Sequence, residues 1–166
     1  MAIYSLILVA LAALCLIDLR VFAAQQEQTF VHPLTDMPDP SEDVETSFVF
    51  PDHKDQKLPL GATVTVLCHF SNDGLTPLNI SAIMGSLNHP MDFKYHIQNY
   101  TYKPFGIVVK GGEEITLEYE FQPHPDLEVA EYALAHTVFY HSDQEAFSST
   151  FFNQVKSVSK SVSLIL

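Results

Sequence analysis

Basic side chains are scarce in this 166-residue chain: 8 Lys and Arg stand against 20 Asp and Glu, a formal net charge of -12. Binders of nucleic acid draw their affinity from Lys and Arg that displace counterions from phosphates, so that class is excluded. Electrostatic docking to anionic lipid goes with it. Tryptophan is absent, which removes the Cys-Trp-Cys core of antibody domains. Two cysteines, Cys15 and Cys68, cannot staple a disulfide-dense miniprotein. Charged residues make up only 17% of the chain, so it is not a disordered acidic polymer. Ten prolines, several inside apolar stretches, argue against a bundle of long helices. No H-x-H, H-E-x-x-H, C-x-x-C, G-x-S-x-G or glycine-rich phosphate loop occurs, and no internal repeat.

What is present is apolar and aromatic. At 47% hydrophobic, with 12 Phe and 7 Tyr, the chain can build one sizeable core, and its length fits one domain. Ala2 to Ile17 is almost wholly apolar, and Val21-Phe22-Ala23 supplies the small residue that signal peptidase needs. Residues 1–23 therefore read as a secretory signal peptide, the run being shorter than the ~20 residues a membrane span prefers. Cleavage after Ala23 removes Asp18 and Arg20 together, so the net charge does not change. It also removes Cys15 and leaves Cys68 as a lone thiol. Val64, Val66, Cys68 and Phe70 alternate with Thr63, Thr65, Leu67 and His69, which puts Cys68 on the apolar face of a strand and predicts burial rather than thiolate chemistry.

Residues 24–43 form an acidic lead-in with Pro33, Pro38 and Pro40, expected to be extended or disordered. Core-like segments follow over residues 44–160, at Val44 to Phe50, Ala62 to Phe70, Leu78 to Leu87, Phe93 to Tyr102, Ile107 to Lys110, Ile115 to Phe121, Tyr132 to Tyr140 and Ala146 to Val158. Asn72-Asp73-Gly74, His89-Pro90, Gly111-Gly112 and Pro123-His124-Pro125-Asp126 punctuate them with turn chemistry. The clearest alternation sets Ile115, Leu117, Tyr119 and Phe121 inward against Thr116, Glu118, Glu120 and Gln122. A period of two is a half-buried strand. Seven or eight such strands predict an all-β, immunoglobulin-like antiparallel sandwich, although a jelly roll or barrel gives the same linear pattern. Residues 161–166 are a short C-terminal end.

Asn79-Ile80-Ser81 and Asn99-Tyr100-Thr101 are N-x-S/T acceptors, and the signal peptide gives them meaning because it delivers the chain to the glycosylating compartment. Asn79 stands opposite Leu78, Ile80 and Ala82, on the face expected to meet solvent. The eight histidines show no ligand spacing, and His136 and His141, five apart, would project to opposite faces of a regular strand. Asp36, Asp39, Glu42, Asp43 and Glu45 are candidate Ca²⁺ ligands. They do not follow an EF-hand loop, so any site there is loose and of low affinity. No other cofactor is indicated.

The stretch from Phe70 to Val155 resembles the lumenal domain of the translocon-associated protein subunit alpha family, also called signal sequence receptor subunit alpha. The resemblance lies in Phe70-Ser71-Asn72-Asp73-Gly74, in Tyr95-His96-Ile97-Gln98-Asn99-Tyr100-Thr101, in Glu118-Tyr119-Glu120-Phe121 followed by Pro123, and in Phe152-Asn153-Gln154. It implies a noncatalytic protein of the endoplasmic reticulum lumen, held at the membrane in a complex beside the protein-conducting channel. Sister subunits, the channel and nascent secretory chains are its implied partners. Calcium binding and an influence on retention of resident proteins are implied as well. Asn99 matches the family's acceptor, Asn79 is additional, and Asn153-Gln154-Val155 replaces a family sequon. The family continues into a transmembrane helix and cytosolic tail, whereas Ser161 to Leu166 are too few to span. Membrane association is expected through partners or through an anchor missing from this chain. A secreted ligand-binding or adhesion sandwich, and more remotely a histidine-dependent metalloenzyme, are the rival readings.

Overall fold

The computed structural model describes residues 33–53 and 57–160, with the backbone alone at 151–157, 159 and 160. The expected signal peptide, residues 24–32 of the lead-in and the C-terminal end at 161–166 lie outside the described residues.

Nine strands form two sheets, and no helix occurs among the described residues. They are β1 (Val44–Val49), β2 (Leu58–Leu60), β3 (Val64–Asn72), β4 (Leu78–His89), β5 (Asp92–Asn99), β6 (Lys103–Val109), β7 (Glu113–Phe121), β8 (Glu131–His141) and β9 (Ala146–Lys160). One sheet has the order β1-β3-β7, antiparallel throughout. The other runs β2-β9-β8-β4, with β5 and β6 end to end along the far side of β4: β5 pairs Ser86 to His89 and β6 pairs Leu78 to Ile83. Only the β2–β9 pair is parallel, Leu58 lying opposite Val158. This is the expected immunoglobulin-like sandwich, with more strands than the seven or eight anticipated. The addition is β2, a three-residue Leu-Pro-Leu strand too short to show a period.

Alternation decides which side of each strand enters the core. In β3, Val64, Val66, Cys68, Phe70 and Asn72 are buried while the residues between them are half-exposed. In β7, Leu117, Tyr119 and Phe121 are buried and Thr116, Glu118 and Glu120 are exposed, as is Gln122 just beyond its end. β4 begins in the same way with Leu78 and Ile80, but a register shift between Ile80 and Ala82 changes the phase. Ile83 and Leu87 then enter the core, and β4 is buried on both faces from Ala82 to Asn88. β8 supplies Leu134, His136, Val138 and Tyr140, paired to Leu87, Gly85, Ile83 and Ile80 of β4. Each fully buried aliphatic or aromatic side chain in this interior contributes about 1.5–3 kcal/mol of transfer free energy.

The end of the sandwich near the first residues of β1 is tied by polar groups. Asn72 donates from Nδ2 to the carbonyls of Thr76 (2.9 Å) and Val109 (3.1 Å), while its Oδ1 accepts from the Gly74 amide (3.2 Å). Its own carbonyl accepts from Gly112 N at 2.7 Å, and Gly112 has the positive φ of 75° that the β6–β7 turn requires. Residues just before β1 are held against β8 and β9. The Ser41 amide donates to the Tyr140 hydroxyl at 3.0 Å, and Ser148 donates to the Pro38 carbonyl at 2.7 Å.

Candidate functional site

Asn99 is exposed at the last position of β5, opposite Ser86 of β4, with His96 Nδ1 3.0 Å from its Oδ1. The two residues after it are anchored. Tyr100 donates its amide to the Gly85 carbonyl at 2.9 Å and turns its ring into the core, where only 5% of the residue stays exposed. The Thr101 carbonyl accepts from the Tyr119 hydroxyl at 2.7 Å, a reach from β7 across the sandwich. The Tyr100 ring lies 4.7 Å from Phe121, and His136 sits 4.8 Å from Phe121 and 5.3 Å from Tyr119.

Gly85 makes this aromatic cluster possible. A Cβ there would lie 2.7 Å from His136 Cδ2 and 3.2 Å from Tyr100 Cδ2, inside the van der Waals limit on both sides. Burial sets the ionisation of the cluster. It pushes Tyr119 up to about 12, with a bond to Gly85 opposing it and Cys68 adding to it, and it raises Tyr100, with Tyr119 second. It lowers His136 to about 3, so the imidazole is neutral near pH 7. Cys68 is buried as its alternation predicts, and desolvation lifts the thiol to about 12 against a small opposing effect of Lys103, which keeps it protonated and unreactive.

Asn79 lies in a different setting. It occupies β4 between Val108 of β6 and His141 of β8, is only half-exposed, and has its Oδ1 buried. The second recognised residue of its sequon, Ser81, shares a 3.0 Å hydrogen bond with His141 Nδ1. His136 faces inward and His141 outward, as their spacing predicted.

The five lead-in carboxylates are spread along the chain. Asp36 occupies a left-handed turn position with φ of 52°, Asp39 and Glu42 are exposed, and Glu45 stands outward on β1 opposite Ser71. Asp43 accepts the Asp73 amide on its carbonyl at 2.8 Å, and its carboxylate packs against Gly74. It lines a groove of about 330 Å³ with Asp143 and Glu145. Among the described residues no group of three or more His, Cys, Asp or Glu converges to hold a metal ion. Likewise, no helix among them is long and apolar enough to cross a membrane.

Sequence reasoning missed Asn72, Gly85 and His136 as structural centres. Two of them carried a signal, since Asn72 continues the inward phase of β3 and His136 that of β8. Gly85 carried none, because its role depends on rings from β8 and from the segment after β5.

The described residues thus define an immunoglobulin-like β-sandwich with one sequon in β4 and another at the end of β5. Solved structures support that class at the level of fold alone. The sporulation control protein Spo0M from Bacillus subtilis superposes with a TM-score of 0.52 at 10% identity, over 73% of this chain and 51% of that one. The C-terminal domain of wzt gives 0.52 at 13% identity, over 74% and 77%. The chain belongs to the translocon-associated protein (TRAP), alpha subunit family, whose model matches residues 44–165. The translocon-associated protein subunit alpha of Dictyostelium discoideum is 41% identical over 121 residues, 73% of this chain and 51% of that protein. Those of Oncorhynchus mykiss and Rattus norvegicus are each 26% identical, over 40% and 38% of their lengths. The chain therefore spans about half the length, or less, of these relatives.

Proposed function

We propose that this chain is a noncatalytic accessory subunit of the endoplasmic reticulum translocon, acting on the lumenal side through its surface. The observation that carries the reading is the family match over residues 44–165, which takes in the sandwich from β1 to β9. Other translocon-associated subunits, the protein-conducting channel and nascent secretory chains are the partners in this reading, and Asn79 and Asn99 are its glycan acceptors. A rigid sandwich suits the role, since its edges and loops can present contacts while the core holds them in place. Purification of the tagged chain from microsomes in mild detergent is expected to return the channel and sister subunits. Recovery of the chain alone would overturn the proposal.

Calcium belongs to the same proposal, and with it an influence on retention of resident proteins. Asp43, Asp143 and Glu145 around one groove, with Asp36, Asp39, Glu42 and Glu45 nearby in sequence, concentrate negative charge without a preformed cage. Such a set takes Ca²⁺ loosely, with a dissociation constant no tighter than about 10⁻⁴ M. Calorimetric titration is expected to give weak, salt-sensitive heats. Tight saturable binding would contradict the loose arrangement, and no binding at all would remove calcium from the reading.

A further inference from the structure

We infer that Asn79 accepts a glycan only before β8 pairs with β4, whereas Asn99 lies outside that restriction. The inference rests on the reading of both residues as acceptors. The transfer joins Asn Nδ2 to the anomeric carbon of the first sugar and breaks that carbon's bond to the pyrophosphate of a lipid-linked oligosaccharide. The lipid pyrophosphate leaves, and the amide gives up one proton. A transferring enzyme must seat the asparagine and the Ser or Thr hydroxyl two residues on at the same time, so it needs an extended tripeptide that it can surround.

Asn79-Ile80-Ser81 does not offer that in the folded chain. Its strand is hydrogen-bonded along both edges, Asn79 facing Val108 on one side and His141 on the other, with Ile80 facing Ile107 and Tyr140. Peptide-binding proteins engage extended segments through a free backbone edge or by enclosing them, and this stretch of β4 has neither available. Ile80 is fully buried, Asn79 Oδ1 is buried, and the Ser81 hydroxyl is shared with His141. The strand that closes the site starts only at Glu131, so the acceptor is made well before its cover.

Asn99-Tyr100-Thr101 is less enclosed, although the Tyr100 amide is bound to the Gly85 carbonyl and the Thr101 carbonyl to the Tyr119 hydroxyl. It joins β5 to β6 along the outer edge of the sheet, with β4 as its single neighbouring strand there. Asn99 and Thr101 are both exposed, and only Tyr100 between them is drawn into the core.

The test uses the full chain made without glycans, presented folded or denatured to a solubilised oligosaccharide-transferring enzyme with its lipid-linked donor, and reads each site by peptide mass. Folding is expected to reduce transfer to Asn79 by about a hundredfold or more, because a central strand opens only at a large share of the global stability. Transfer to Asn99 is expected to fall by a much smaller factor. Equal modification of Asn79 in both forms, or an equal fall at both sites, would overturn the inference. No glycan at Asn79 even in the denatured chain would overturn the acceptor assignment on which it rests.

Discussion

Acidification from pH 7 to pH 4 is expected to remove about 3 kcal/mol of folding stability through His136 alone. The imidazole is completely buried among Tyr119, Phe121 and Tyr100, and burial lowers its pKa from 6.5 to about 3. Above pH 6.5 neither the folded nor the unfolded chain protonates it, so its contribution to stability does not change with pH there. Between pH 6.5 and about 3 the unfolded chain takes up a proton that the folded chain refuses. Stability from this group is therefore fully present above pH 6.5 and declines with acid, by up to about 1.4 kcal/mol per pH unit. Tyr119 and Tyr100, the titratable neighbours, are held neutral over that range by the same burial. Urea unfolding of the wild type and of His136→Leu across pH 4 to 7 measures the effect. The variant should show a shallower slope, and identical slopes would remove His136 as the cause.

Asn72→Ala is expected to cost about 3 kcal/mol, from three hydrogen bonds lost at one buried side chain. The substitution strips the Thr76 and Val109 carbonyls of their donor and the Gly74 amide of its acceptor, at a residue only 1% exposed, where water cannot readily replace the carboxamide. Asn72→Asp discriminates the mechanism further. It keeps an oxygen for Gly74 but turns the donor that serves two carbonyls into a second acceptor, so it should be worse than alanine. Equilibrium denaturation ranks the three proteins. The orientation of the carboxamide is fixed by its partners, two carbonyls that only accept and one N–H that only donates, so an aspartate variant as stable as the wild type would mean that the bonds to Thr76 and Val109 contribute nothing to stability. Hydrogen exchange should place the loss in the turns at 73–76 and 110–112, which Asn72 joins.

Strands with one wet face were legible in the sequence, because burial on one side imposes a period of two: β3 and β7 run as their alternation predicts. The irregular parts were not. The phase change after Ile80 puts an extra residue between two in-phase stretches, so Ala82, expected in line with Leu78 and Ile80, gives way to Ile83. Segment Phe93 to Tyr102 ends earlier than expected, at Asn99, since Tyr100 leaves the strand to fill the space that Gly85 opens. That exchange joins β4, β8 and the segment after β5, and no local window of sequence contains it. The acceptor motifs were legible as motifs, but their different surroundings in β4 and at the sheet edge depend on which strands pair with them.

The parallel pairing of Leu58–Leu60 with Val158–Lys160 has a kinetic consequence. Its partners are separated by nearly the whole domain, so the loop closed by that contact carries an entropy cost that no local turn offsets. Domains dominated by such distant pairings fold slowly, on millisecond to second timescales. A chain emerging amino terminus first holds β2 unpaired until its last strand has been synthesised. The sandwich consequently completes itself late, and β2 spends that interval as open chain within reach of whatever acts on nascent polypeptides.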